Sequence, residues 1–314
     1  VYVGTDDGYI SALGIAPEDV TYRLKPDWMK AMWRARARRR VVFAMNAGEI
    51  VLDNKYWTAL GWQLLAALCA HWSGGYAVAA GIAVRKSPQT AAIALRLLLR
   101  RMRIIRWRDR VSQQRFGAGH VLPDWAFALG TGVDELSSAN PSTPRNVVAV
   151  SMRGDRDFPP DLWFDAVADV ASSLNAGIVV VVQVVRDGDR AQAIADRLGA
   201  GVLPWTGGSH HDHETRVRVL YRRSQAVISD RIHSLIIGMT EGAIPVGLTV
   251  GSAEKVARTF APVTERQLAF SCGDFTTSTE VSAAMSASID SGSTVVVDEL
   301  TAARIALASL NFQH

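Results

Sequence analysis

The stretch whose residue types and spacing say most about chemistry is AVISDRIHS, residues 226–234. An apolar strand ends at Ser229 or Asp230 and a helix begins at once, with one of those two residues expected as its N-cap. Arg231 and His233 then fall in the first helical turn, where unpaired N–H groups and the positive end of the helix favour an anion. Arg231 adds a planar fork suited to a carboxylate or phosphate. Ser234 adds a hydroxyl, and His233 a group that moves a proton near neutral pH. Gly238 and Gly242 are expected to let this helix lie close to the sheet. The competing reading is structural: Arg231 pairs with Asp230 or Glu241, and His233 is a satisfied core histidine.

Other groups are less specific. His210, His211 and His213 cluster with Asp212 in GGSHHDH, residues 207–213. As a loop entering a helix they lack the spacing of a zinc pair, so no metal is expected and Asp212 reads as a cap. Arg222 and Arg223 end a helix, which suits its dipole. Asp109 and Ser112 read as turn and cap residues. Asp124 and Trp125 either offer a carboxylate and an aromatic face to a sugar or simply pack. Cys69 and Cys272 are far apart and form no CxxC pair, which fits a reducing compartment.

The elements that must hold these residues alternate. In the first part, Val1–Val3 reads as a short strand, 27–40 as a basic helix and 41–45 as a buried strand. A turn at Asn46-Ala47-Gly48 follows, then a helix over 57–72, a strand over 76–84, an amphipathic helix over 90–102 and a strand over 103–107. SSANPSTP, residues 137–144, is the best linker. Beyond it strands are expected at 146–151, 177–185, 202–204, 226–229 and 245–248. Helices are expected at 160–175, 189–198, 213–223 and 231–241, with a terminal helix over 302–310 that returns to the first domain. Residues 271–293 are rich in Ser and Thr but keep helical spacing. Apolar strands alternating with helices give parallel sheets covered on both faces. Two α/β domains are therefore expected, 1–140 and 141–314, facing a cleft, with ligands outside the carboxyl ends of the strands.

The chain has 314 residues, 48% apolar and 20% charged, which excludes wholesale disorder and fits two domains. Residues 1–140 carry 19 Lys+Arg against 11 Asp+Glu, and residues 141–314 carry 15 against 19. The basic front part suits an anionic glycan, a lipid phosphate or a membrane surface, although 29 of the 34 basic residues are Arg, which also fits compositional bias. The apolar run 57–84 is broken by Ser73-Gly74-Gly75, so it reads as helix plus strand and not as a membrane span. No secretory leader pattern is visible, and a cytoplasmic location at the inner face of a membrane is expected. The chain starts on Val1, so native residues are expected to precede it. No nucleic-acid motif is present.

SQAVISDRIHSLIIGMTEGAIPVGL (224–248), followed by Lys255, resembles the C-terminal signature of the polysaccharide pyruvyl transferase family: a strand, Asp-Arg-aliphatic-His, a helix, Gly-x-x-Pro, a strand and a downstream Lys. IIRWRDRVSQQRFGAGHVLPDWAFAL (104–129) resembles that family's Arg-Asp-x-x-Ser segment with its following Asp-x-x-Phe. VVFAMNAGEIVLD (41–53) stands where the family has a strand, a glycine-rich turn and an Asp. The turn is degraded here to Asn46-Ala47-Gly48, and no Asn-x-Gly-Asp element opens the chain.

The resemblance implies two Rossmann-like domains similar to GT-B glycosyltransferases. It implies transfer of the enolpyruvyl unit of phosphoenolpyruvate onto a sugar of a cell-surface polysaccharide or glycolipid, forming a pyruvate ketal and releasing phosphate, with no cofactor. Phosphoenolpyruvate is a trianion, so its pocket needs several cations and no bare carboxylate. Arg231, Arg153 and Lys255 are the candidate cations, with Ser234 and His210 as further donor-binding residues. His233 would be the general acid and Asp53 the general base. Each has a plainer reading. Arg153 would pair with Asp155 or Asp157, Lys255 with Glu254, and Asp53 would be a turn residue. The alternatives are a GT-B-like glycosyltransferase using a nucleotide sugar, or a glycan-binding protein that has lost catalysis.

Overall fold

The computed structural model describes residue 15 and residues 18–53, 56–85, 89–138 and 144–309. The expected strand at Val1–Val3 lies outside the described residues. The chain divides into two compact units, Val1–Leu122 and Pro123–His314.

The first unit opens with helix α1 (Lys25–Ala35), which starts on Pro26 in its first turn and buries Met32. Strand β1 (Val42–Met45) follows, and then β2 (Gly48–Ile50), so the expected turn at 46–48 is shorter than the sequence indicates. Helix α2 (Tyr56–Trp72), β3 (Tyr76–Val84), α3 (Gln89–Leu99), β4 (Ile104–Trp107), α4 (Arg110–Phe116) and β5 (His120–Val121) complete it. The sheet is parallel in the order β1-β3-β4-β5, with β2 continuing the β1 edge along β3. Strand β3 is buried over nearly its whole length, which is why it reads as an unbroken apolar run. Asp109 caps α4 by accepting from the Ser112 N–H at 2.7 Å, and Ser112 Oγ accepts from the Val84 N–H at 2.9 Å.

The second unit starts with a 3-10 turn, Trp125–Ala128, capped by Asp124, and the short helix α5 (Val133–Ser137). Then come β6 (Val147–Ser151), α6 (Asp161–Ser173), β7 (Gly177–Val181), a 3-10 turn at Val185–Asp187, α7 (Gly188–Leu198) and β8 (Gly201–Leu203). The chain continues through α8 (His210–Arg222), β9 (Ser224–Ser229), α9 (Ile232–Thr240), β10 (Ile244–Thr249), α10 (Glu254–Phe260) and β11 (Ala269–Ser271), and ends in α11 (Ser278–Ser293) and α12 (Val296–Ala308). The six strands are parallel in the order β11-β10-β9-β6-β7-β8. The chain winds outward from β6 in one direction and then from β9 in the other, so the winding reverses between β6 and β9. One face is covered by a core containing Trp163, Ile194 and Met285, the other by one containing Tyr221, Leu235 and Leu300.

Three expectations need correction. The sequence puts residues 123–138 in the first domain, yet they pack with the second unit. The Arg304 guanidinium on α12 donates to the carbonyls of Phe127 (3.0 Å), Thr131 (2.7 Å) and Leu129. The terminal helix, expected to return to the first domain, meets residues 127–131, which belong to its own unit. Strand β7 stops at Val181 and not at 185, because Gln183 and the 3-10 turn end it.

The third concerns the glycines of α9. Gly238 does what was expected: a Cβ there would lie 2.5 Å from Val227 Cγ2 on β9. Gly242 lies past the helix at φ +79°, where the Ala243 N–H donates to the Gly238 carbonyl and the Gly242 N–H to that of Met239, a Schellman stop. Gly238→Ala is expected to overpack this contact and cost about 1–3 kcal/mol in urea unfolding. An unchanged midpoint would show that the sheet yields.

Candidate functional site

The reversal between β6 and β9 places the carboxyl ends of two neighbouring strands side by side, and loops from β6, β7 and β9 meet there. The strand ends carry polar residues. Ser151 closes β6 and Ser229 closes β9, and both are fully buried. Ser229 Oγ donates to the Ser151 carbonyl and accepts from the Arg231 N–H at 2.9 Å. Arg231, and neither Asp230 nor Ser229, is the N-cap residue of α9, and its side chain makes no capping hydrogen bond. The expected cap is displaced because Ser229 is spent bridging β6 to the start of α9. The opening turn of α9 therefore keeps its partial positive charge without a side-chain cap.

Two carboxylates tie the loops together. Asp230 Oδ1 accepts from the Arg153 N–H at 2.9 Å, and Asp187 Oδ1 accepts from the Gly154 N–H at 2.9 Å. Gly154 permits this approach, since a Cβ there would sit 3.0 Å from the Arg186 carbonyl oxygen. Asp187 is only 1% exposed, and its other oxygen forms an ion pair with the Arg231 guanidinium. Arg231 Nε is buried without a hydrogen-bond acceptor among the described residues, so this guanidinium has donor capacity left. Arg153 forms a two-pronged pair with Asp155, at 2.8 and 2.7 Å. That guanidinium holds the Asp155 carboxyl well below the usual carboxylate range. Burial, opposed by Arg153 and Arg231, pushes the Asp230 carboxyl above its ordinary value.

The expected residues separate into those that meet here and those that do not. Arg153 and Arg231 meet, but both are engaged by carboxylates. His233 is in the first turn of α9 and exposed. Ser234 is fully buried, 3.1 Å from Gln183 Oε1 and 3.3 Å from Ser151 Oγ, so it wedges α9 against the strand ends and is not an open ligand contact. His210 is the first residue of α8, which Ser209 caps, so the histidine cluster lies on a helix and not in a loop. Its ring meets Trp205 edge-on at 5.0 Å. His213 is buried, with Nε2 2.8 Å from the Val182 carbonyl and Nδ1 3.2 Å from an Arg216 nitrogen. Burial, with help from Arg216, lowers its pKa, and the two contacts commit both ring nitrogens. Lys255 is half-buried in the first turn of α10. Asp53 belongs to the other unit, where its exposed carboxylate accepts from the Tyr56 N–H at 3.0 Å at the start of α2.

Asp187, Gln183 and Ser151 at this point are not singled out by the sequence, and Asp230 reads there only as a cap or a partner of Arg231. A polar residue closing an apolar strand run was the available signal, and it was hidden at 177–185 by carrying the strand through Gln183.

No family model matches the chain, and no curated protein matches it. Similar solved structures exist. One is a candidate UDP-N-acetylglucosamine 2-epimerase from Listeria monocytogenes, at a TM-score of 0.55 and 10% identity, covering 94% of this chain and 80% of that one. Another is in the complex of accessory secretory proteins 1, 2 and 3 from Streptococcus pneumoniae, at a TM-score of 0.52 and 9% identity. It covers 88% of this chain, which spans about half (54%) of that one. A looser match is Anabaena HepE in complex with UDP and glucose, at a TM-score of 0.45 and 14% identity, covering 98% and 91%. The chain therefore has the two-unit α/β fold of the GT-B transferases and epimerases.

The pyruvyl transferase resemblance, with phosphoenolpyruvate as donor and partner and a pyruvate ketal as product, is corrected by these findings. Its family model does not match, and none of the similar structures named above is described as a pyruvyl transferase. The site supplies the physical reason. A compact trianion needs free cations, but Arg153 is paired with Asp155 and Arg231 with Asp187.

Proposed function

We propose that this protein is a GT-B enzyme acting on a nucleotide sugar, with the nucleotide held by the second unit where β6 and β9 diverge. The observation that carries this reading is the mixed charge of that point. A helix start with no side-chain cap and a guanidinium with donor capacity suit a diphosphate. Carboxylates beside them suit the hydroxyls of a ribose or sugar, which donate hydrogen bonds. A nucleotide sugar brings both groups on one molecule. A compact trianion such as phosphoenolpyruvate brings charge but no hydroxyl to donate to these carboxylates.

In this reading the first turn of α9 and Arg231 bind the diphosphate, and Asp187 holds Arg231 in place. Asp230 accepts from a hydroxyl, and His233, exposed in the same turn, is the proton carrier. Sugar transfer is the chemistry favoured, since departure of a nucleoside diphosphate needs charge stabilisation at that helix start. The test is calorimetric titration with UDP, other nucleoside diphosphates and their sugar conjugates. Binding of at least one, weakened in Arg231→Lys, is expected. No binding by any of them would overturn the reading.

Asp230→Asn gives a separate prediction. The carboxyl of Asp230 is raised in the folded state, so its ionisation opposes folding above its unfolded pKa of about 3.8. Asparagine keeps an acceptor for the Arg153 N–H and removes the charge. The variant is expected to melt higher than wild type at pH 7, with the gain shrinking as pH falls towards 4, and to bind nucleotide sugar more weakly. A lower melting temperature at pH 7 would contradict the burial argument.

A further inference from the structure

The first unit carries a surface that the nucleotide-sugar reading does not use. Residues 28–48 and 54–108 contain no Asp or Glu at all. Parallel pairing places Val42 of β1 beside Tyr76 of β3, and Val78 of β3 beside Ile104 of β4. The segments that lead into these strands therefore line one edge of the sheet, its amino edge. Arg38 and Arg39 precede β1, Trp72 precedes β3, and Arg100 and Arg101 precede β4; all five are exposed. The edge is tied together rather than loosely gathered. The Val41 N–H donates to Ser73 Oγ at 2.8 Å, and His71 Nε2 lies 2.9 Å from the Arg101 carbonyl oxygen.

Two tryptophans stand on this edge. Trp33, at the end of α1, is 43% exposed and Trp72 is 58% exposed. Their rings meet edge-on at 5.7 Å, and the Arg36 guanidinium lies 3.7 Å from the Trp33 ring centre. Leu97, 53% exposed, projects from the last turn of α3. No helix among the described residues is long and apolar enough to cross a membrane. Exposed tryptophans beside a cluster of arginines are the composition of a surface that lies on a bilayer. The indoles enter the headgroup layer while the guanidiniums meet lipid phosphates.

We infer that this amino edge of the first unit docks on an anionic lipid bilayer. Charge complementarity selects this occupant: a protein partner or a nucleic acid would satisfy the arginines, but the paired exposed indoles and Leu97 need an apolar layer beneath the charge. The inference uses the first unit alone and does not depend on the nucleotide-sugar reading.

The test is co-sedimentation of the whole chain with phosphatidylcholine vesicles, with and without roughly 30% phosphatidylglycerol. Binding is expected only to the anionic vesicles, with a blue shift of tryptophan emission, and it should weaken steeply between roughly 0.05 and 0.5 M salt. Arg38→Glu with Arg39→Glu is expected to weaken binding by about 100-fold or more. Trp33→Ala with Trp72→Ala should abolish the blue shift while some salt-sensitive binding remains. Should the Arg38/Arg39 variant fold poorly, Arg100→Ser with Arg101→Ser must show a smaller loss in the same direction. Absence of binding to anionic vesicles at low salt would overturn the proposal. So would equal binding by the charge variants, or release from vesicles by a short single-stranded RNA that binds more tightly. Nucleotide titration of the same variants should be unchanged, which separates a failure here from a failure of the proposed function.

Discussion

Glu241→Gln is expected to lower the melting temperature of the second unit by about 10 °C, equivalent to about 3–5 kcal/mol. Glu241 is fully buried at the end of α9. Its carboxylate accepts from Arg218 at 2.7 Å, from Arg222 at 2.7 Å and from the Thr131 hydroxyl at 2.6 Å, while its carbonyl accepts from Arg145 at 3.0 Å. Removing the charge leaves Arg218, largely buried, with only the half-exposed Glu214 as counter-ion among the described residues, and leaves Arg222 and Arg145 facing a neutral amide. Hydrogen bonds from Thr131, Arg222 and Arg218 hold the Glu241 pKa below its ordinary 4.5 against the desolvation that opposes them. A depressed carboxyl stabilises the fold above its unfolded pKa and loses that contribution as pH falls through the folded value. Wild type is therefore expected to lose stability below about pH 4.5, and Glu241→Gln to show a flatter acid limb. A shift of under about 2 °C at pH 7 would mean the arginines are hydrated in place of being paired.

Arg231→Ala is expected to act twice. It leaves the Asp187 carboxylate, 1% exposed, with the Gly154 N–H as its one remaining hydrogen-bond donor among the described residues, at a cost of about 3–5 kcal/mol. It also removes the charged fork proposed for the diphosphate, weakening nucleotide binding by about 100-fold. The two effects separate in the double variant Arg231→Met with Asp187→Asn, which removes both charges of this ion pair. Most of the stability should return in thermal melts, while affinity for UDP or a UDP-sugar should not. Recovery of affinity in the double variant would show that Arg231 serves the fold alone.

The fold was largely legible in the sequence, and particular residues show why. Strand β3 and helix α2 are long and apolar enough to be read nearly end to end. Strand β11, at Ala269–Ser271, is three residues long and carries no period, so nothing in the sequence marked it. The segment 226–234 pointed to the right place because a strand-to-helix switch with Arg-x-His is visible as spacing. What spacing could not show is who holds the arginine. Asp187 is 44 residues from Arg231 and reaches it only because β7 lies next to β6 in the sheet. Charge neutralisation of that kind is a property of strand order, and it decided against the trianion.

The clasp formed by Arg304 on the carbonyls of Phe127, Leu129 and Thr131 also bears on how the second unit can be excised. A fragment beginning at residue 141 would strip away those acceptors together with the Thr131 hydroxyl that donates to Glu241. It would uncover Phe260, whose ring Phe127 meets edge-on at 5.5 Å. Cut at Pro123 instead, the piece keeps its own lid, and any attempt to express or crystallise it alone should begin there.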